Sequence, residues 1–128
     1  NDKEQNFTDQ ILSGKKTIET RVPLKNNPGK ASLHAYVGKR VGLVRTGKGG
    51  TPMLVGFVTV GTPIFYDTVE KFRKDYSKHR VEPGSKFDMD DRGKWGYPML
   101  NPVAVVPVPV NAVGRVVSNI QDIDYLIL

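Results

Sequence analysis

The sequence predicts a small α+β domain: a β-barrel of about five or six strands carrying two short helices. Three observations lead there. Short runs rich in valine and other β-branched residues, such as Met53–Val60 and Val103–Val110, recur between Pro- and Gly-bearing turns. Only two stretches, near residues 3–13 and 67–79, space their apolar side chains as a helix does. At 128 residues with 38% hydrophobic and 25% charged content, the chain can bury one core but not two of ordinary size. Closing the sheet fully or nearly, with helices plugging the barrel ends, is economical because closure removes sticky edges.

The elements follow in order. Asp2-x-x-Gln5 resembles a capping box, and Phe7, Ile11 and Leu12 then mark one helix face. Gly14 stands where a left-handed cap is wanted, with Lys15 and Lys16 near the negative end of the helix dipole. Thr17–Val22 reads as a strand stopped by Pro23. Alternation along it would turn Lys16, Ile18 and Thr20 one way and Thr17, Glu19 and Arg21 the other. Asn26-Asn27-Pro28-Gly29 is a turn. Ser32–Val37 is a candidate short strand, and Val41–Thr46 and Met53–Val60 are clearer ones joined across Gly47-Lys48-Gly49-Gly50 as a hairpin tip. Asp67-Thr68-Val69-Glu70 forms a second capping box, opening a helix of about three turns that ends near His79. Residues 81–102 read as a long loop carrying three acids, the only Trp and Tyr97. Val103–Val110 and Val113–Val117 complete the strands, with Pro107 and Pro109 requiring edges or bulges. Residues 1–118 make up the domain. Residues 119–128 form an acidic–apolar tail that either pairs with an edge or stays disordered.

Composition excludes several functions. No apolar run approaches the ~20 residues of a membrane span, and the polar, acidic start lacks a signal peptide's features, so the expected location is the cytoplasm. With no cysteine there is no disulfide and no thiolate metal site. His34 and His79 lack metal-ligand spacing, and Asp88, Asp90 and Asp91 lack the calcium-loop pattern. The glycine-rich stretch lacks a phosphate-binding loop's spacing, so neither a metal nor a cofactor is expected. The net charge of +6 favours phosphate-bearing partners, although many small domains carry such a charge for solubility alone.

The stretch richest in chemistry is Gly14-Lys15-Lys16-Thr17-Ile18-Glu19-Thr20-Arg21, which gathers both signs of charge at a helix-to-strand corner. Such charges are costly to bury unless they pair with one another or meet a ligand. In a binding reading, Lys16 and Arg21 hold a phosphate or base edge while Glu19 orients them, with Thr17 beside them. In a catalytic reading, Glu19 activates water and Lys16 stabilises the developing oxyanion. Trp95 and Tyr97 could stack on a nucleobase. The bland counterparts are a structural Glu19–Arg21 salt bridge and a Trp95 that pins a loop.

The run Ile11–Arg21 resembles the signature of the ASCH domains, Gly-x-Lys-x-x-Glu-x-Arg after a helix, with Gly14, Lys16, Glu19 and Arg21 in the four places. The resemblance implies a PUA-like barrel with a cleft beside the motif and an RNA or nucleoside-sized ligand. It also implies, as an alternative, a ribonuclease or an amidohydrolase acting on N4-acetylcytidine-type substrates through Lys16 and Glu19. Two features depart from the family. Its domains usually open with a strand, whereas this sequence starts immediately before the helix, so that strand either lies outside this sequence or has its place taken by the tail. In the deacetylating branch a nucleophilic Thr stands where this chain has Glu19.

Overall fold

One strand organises the molecule. The computed structural model describes residues 7–45, 50–111, 117–118 and 125–128. Within them, β5 (Lys94–Pro109) runs for 16 residues and belongs to both halves of the sheet. Its first residues lie between β1 (Ile18–Arg21) and β4 (Ile64–Tyr66), while β3 (Met53–Val60) pairs with the stretch from Met99 to Pro109. β3 then pairs with β2 (Arg40–Arg45), and β2 with β6 (Val117–Ser118). Every strand pairing is antiparallel.

The architecture is therefore α+β as expected, but the sheet is open rather than a closed barrel. Its path is β1-β5-β3-β2-β6, with β4 attached to β5, and among the described residues β1 and β6 do not meet. Edges are blunted in other ways. The Thr17 amide, just ahead of β1, donates to Lys78 O. The free side of β5 accepts the end of the tail, where Val106 N donates to Leu126 O and Leu128 N to Ala104 O. So the last tail residues do pair with an edge.

Of the prolines that interrupt β5, Pro102 and Pro107 are absorbed by bulges, whereas Pro98 stands in regular register opposite Ile18. The register against β3 slips between Leu54 and Gly56 and again between Phe57 and Thr59. Pro107 falls in the first slip and Pro102 in the second, beside Asn101 at φ 49°. Each lacks a ladder donor and sits where none is needed. Gly56 is the tight point: a Cβ there would meet Leu12 Cδ2 at 2.4 Å and the Val103 carbonyl at 2.6 Å.

The helices differ from expectation in number and detail. α1 (Phe7–Leu12) ends at Gly14, whose φ of +82° is the left-handed cap the sequence calls for. Ser32–Tyr36 is a 3₁₀ turn instead of a strand. Its alternation misleads because only Leu33 is buried, and the His34 ring folds back to accept the Ala31 amide. The second predicted helix is two, α2 (Val69–Lys74) and α3 (Tyr76–His79), separated by Asp75. Its cap is Thr68 rather than Asp67: Thr68 Oγ1 accepts from Lys71 N at 3.2 Å, and Asp67 pairs with Lys71 Nζ instead. The proposed box at Asp2-x-x-Gln5, the hairpin tip at 46–49 and most of Val113–Val117 lie outside the described residues.

The main core lies between the sheet and α1, from Ile11 and Leu33 through Val41, Leu43, Val58 and Val60 to Tyr97 and Met99. A smaller cluster of Tyr66, Phe72 and Val81 sits under α2. No helix among the described residues is long and apolar enough to cross a membrane.

Candidate functional site

The α1–β1 corner lies where these two cores approach. Lys16 precedes β1, its amide tied to Gln10 O by a 2.9 Å bond, so strand alternation does not govern its side chain. The expectation that Lys16 and Glu19 point to opposite faces fails for that reason. Lys16 Nζ lies 3.7 Å from Glu19 Oε1, an ion pair rather than a hydrogen bond. It donates to His79 O and sits 4.1 Å from the centre of the Phe7 ring. The residue is 1% exposed.

Glu19, 2% exposed, is shared between partners. Arg21 Nη1 binds Oε2 at 2.9 Å, and the Thr20 amide donates to Oε1 at 3.2 Å. Burial by itself would raise the Glu19 carboxyl, but the Arg21 and Lys16 cations overcome it and hold the group below the ordinary glutamate range. For Lys16 burial prevails: it lowers the ammonium to about 8, with Glu19 opposing and Arg21 assisting. Arg21 is the open side of the group, its side chain 26% exposed. Beyond Glu19, Nη1 reaches only the Thr20 carbonyl among the described residues, which leaves Nη2 and Nε unengaged.

A fourth member was not anticipated. Lys94, the first residue of β5, is 4% exposed and stands next to Trp95, the residue paired with Arg21 across the ladder. Burial lowers its ammonium to about 8. The charges of Glu19 and Asp90 act against that shift, and those of Arg21 and Lys16 act with it. Among the described residues, no acceptor lies within hydrogen-bonding or ion-pairing reach of this ammonium. The signal that could have found it is the alternation of β-formers in Lys94-Trp95-Gly96-Tyr97, hidden by the flanking prolines.

The other candidates are not gathered there. Thr17 is exposed, and its backbone bridges Lys78 O and Met99 N. Trp95 is half-buried: its Nε1 donates to Pro28 O at 3.1 Å, and its ring packs on His34 and Phe65. That is the loop-pinning arrangement. Tyr97 is fully buried, so its ring offers no face to a base, and its hydroxyl hydrogen-bonds His34 Nδ1. His34 Nδ1 also accepts the Ala31 amide, which leaves the ring proton on Nε2.

His79 proves structural too. Its ring stacks on Phe72 at 4.0 Å, Nε2–H donates to Phe72 O and Nδ1 accepts the Val81 amide. The His79 carbonyl, at the end of α3, receives Lys16. No group of three or more His, Asp or Glu that could hold a metal occurs among the described residues. No protein-family model, curated protein or solved structure matches the chain.

Proposed function

We propose that this chain is an ASCH-type, PUA-like module that binds RNA or a nucleoside-sized ligand at the corner of Lys16, Glu19 and Arg21. The observation carrying the reading is that a buried carboxylate is clasped by Arg21 and Lys16 while Arg21 keeps donors facing outward. A carboxylate used in this way fixes a guanidinium so that its remaining N–H groups present a rigid edge to phosphate or base. The chain's net charge of +6 adds a favourable field for a polyanion, and the cytoplasm supplies such partners. Trp95 and Tyr97 are no part of the contact surface in this reading, since their rings are committed to internal packing.

Titration of single-stranded RNA at several salt concentrations tests it. Affinity falls steeply with salt, and Arg21→Ala weakens it by at least tenfold while the far-UV spectrum is unchanged. Salt-independent binding, or affinity untouched in Arg21→Ala, removes the reading.

One observation favours hydrolysis as a second reading. The Glu19 carboxylate and the Lys16 ammonium stand 3.7 Å apart in a buried corner, the pairing that a base-and-oxyanion mechanism uses. In that case Glu19 acts as the base on water and Lys16 steadies the oxyanion. Incubation with N4-acetylcytidine and with RNA, native against Glu19→Gln, decides it. Intact substrate in both samples removes hydrolysis.

A further inference from the structure

We propose that Phe65 is the base-stacking face of the RNA-binding corner, set in one cross-strand row with Arg21 so that a nucleotide lays its base on the ring and its phosphate on the guanidinium. The inference rests on the reading above and assigns the part of the ligand that Arg21 cannot hold.

The sheet fixes the row. Arg21 of β1 stands opposite Trp95 of β5, and Trp95 stands opposite Phe65 of β4. Residues directly opposite one another in neighbouring strands turn their side chains to the same face, so the three lie side by side across it. Adjacent strands are about 4.8 Å apart, which sets the backbones of Arg21 and Phe65 about 10 Å from each other along the row.

The middle of the row is locked and its ends are open. Trp95 is held by its Nε1 bond to Pro28 O and by the His34 ring, edge-on at 4.7 Å. Phe65 leans on that indole, with ring centres 4.9 Å apart and planes tilted by 50°. Its second support is Gly93, where a Cβ would fall 2.5 Å from Phe65 Cζ and 2.9 Å from the Tyr66 carbonyl. Only glycine leaves room for the ring there, and a φ of +83° asks for glycine as well. Fixed from two sides, Phe65 still keeps 39% of its surface in water. At the other end, Arg21 Nε and Nη2 have no partner among the described residues and are not sealed from solvent.

Isolated exposed phenylalanines are ordinary on protein surfaces. The rigid support and the outward guanidinium in the same row set this one apart. An apolar side chain of a protein partner would use the ring and leave Arg21 without an anion, whereas a nucleotide uses both. Its phosphate contact positions the strand, and stacking on Phe65 tolerates any base. The net charge of +6 favours the same occupant.

The test compares two end-labelled probes by anisotropy: a short single-stranded oligoribonucleotide and an abasic oligomer of the same backbone. Both are titrated with the native chain, Phe65→Leu, Phe65→Ala, Phe65→Tyr and Val69→Ala, the last an exposed apolar control away from the row. The oligoribonucleotide binds the native chain more tightly than the abasic probe and alters the emission of Trp95, the chain's single tryptophan, which touches Phe65. Phe65→Leu and Phe65→Ala lose at least about fivefold for the oligoribonucleotide and keep native affinity for the abasic probe. Phe65→Tyr and Val69→Ala match the native chain. Far-UV and near-UV spectra establish that each variant is folded, and Phe65→Leu serves if Phe65→Ala is not.

Equal oligoribonucleotide affinity in native and Phe65→Leu overturns the inference, as does a loss of the same size for the abasic probe. The two proposals fail separately. Oligoribonucleotide binding that needs Arg21 but not Phe65 leaves the RNA reading standing and removes this one. Failure of both probes to bind the native chain removes the RNA reading and this inference with it.

Discussion

At neutral pH, replacing the buried Lys94 with methionine makes the protein more stable. The ammonium titrates near 8 in the folded chain against 10.5 for an ordinary lysine. At about 1.4 kcal/mol per pH unit, folding with the charge in place costs about 3 kcal/mol. Methionine has a similar length, leaves little cavity and removes that cost, so the gain at pH 7 is at most about 3 kcal/mol. The sign with pH follows from the lowered value. Below 8 both folded and unfolded chains hold the proton, and the penalty is complete. Between about 8 and 10.5 the unfolded chain keeps a proton the folded one has released, so native stability rises with pH. Lys16 contributes a rise of the same sign over the same window. Tyr97 works against them above pH 10: its hydroxyl is pushed up to about 12, so its contribution is intact below 10 and fades beyond. Urea unfolding in phosphate-free buffer at pH 7, 8.5 and 9.5 is the assay. The variant leads at pH 7, and its lead shrinks as the native chain gains. A variant less stable than native at pH 7, or a gap that stays constant to pH 9.5, refutes the claim that burial depresses the Lys94 ammonium.

Three further outcomes follow from the same geometry. Glu19→Gln removes the one anion among three cations and costs about 3–5 kcal/mol in urea unfolding at pH 7; a loss under about 1 kcal/mol contradicts the pairing. Gly56→Ala forces a Cβ onto the Val103 carbonyl, which cannot step aside as a side chain can, and lowers stability by about 1–3 kcal/mol in thermal melts. Thr68→Ala removes the cap of α2 and costs about 1 kcal/mol, whereas Asp67→Ala leaves the cap bond intact and costs less.

How far the sequence revealed the fold depended on whether a signal was local. Met53–Val60 was legible to the residue, because a short Val-rich apolar run between glycine- and proline-bearing stretches left no competing reading. Gly14 announced the end of α1 for an equally local reason. The first half of β5 was not legible. Pro98 and Pro102 argue against a strand, and what admits them, a place opposite Ile18 for Pro98 and a bulge for Pro102, is set by partner strands distant in sequence. Ser32–Tyr36 shows the converse error, since apolar alternation there has no sheet beside it and the His34 side chain satisfies the backbone instead. At the candidate site, strand alternation set Glu19 and Arg21 on one face, where they pair, but it turned Lys16 the other way and could not show that burial outweighs Glu19 in setting Lys16. Lys94 was missed because its surroundings are set by distant partners: it stands opposite Tyr66 of β4, and its neighbour Trp95 stands opposite Arg21 in the β1–β5 ladder.

That ladder also sets a schedule for the newborn chain. Among the described residues β1 comes first, yet the stretch of β5 it pairs with is made only after β2, β3 and β4. Until then Lys16, Glu19 and Arg21 remain in water, fully hydrated. Assembly of the corner is thus a late and non-local event in biosynthesis, gated by the arrival of Lys94–Pro98. A chain arrested short of that stretch carries the whole signature and none of the site.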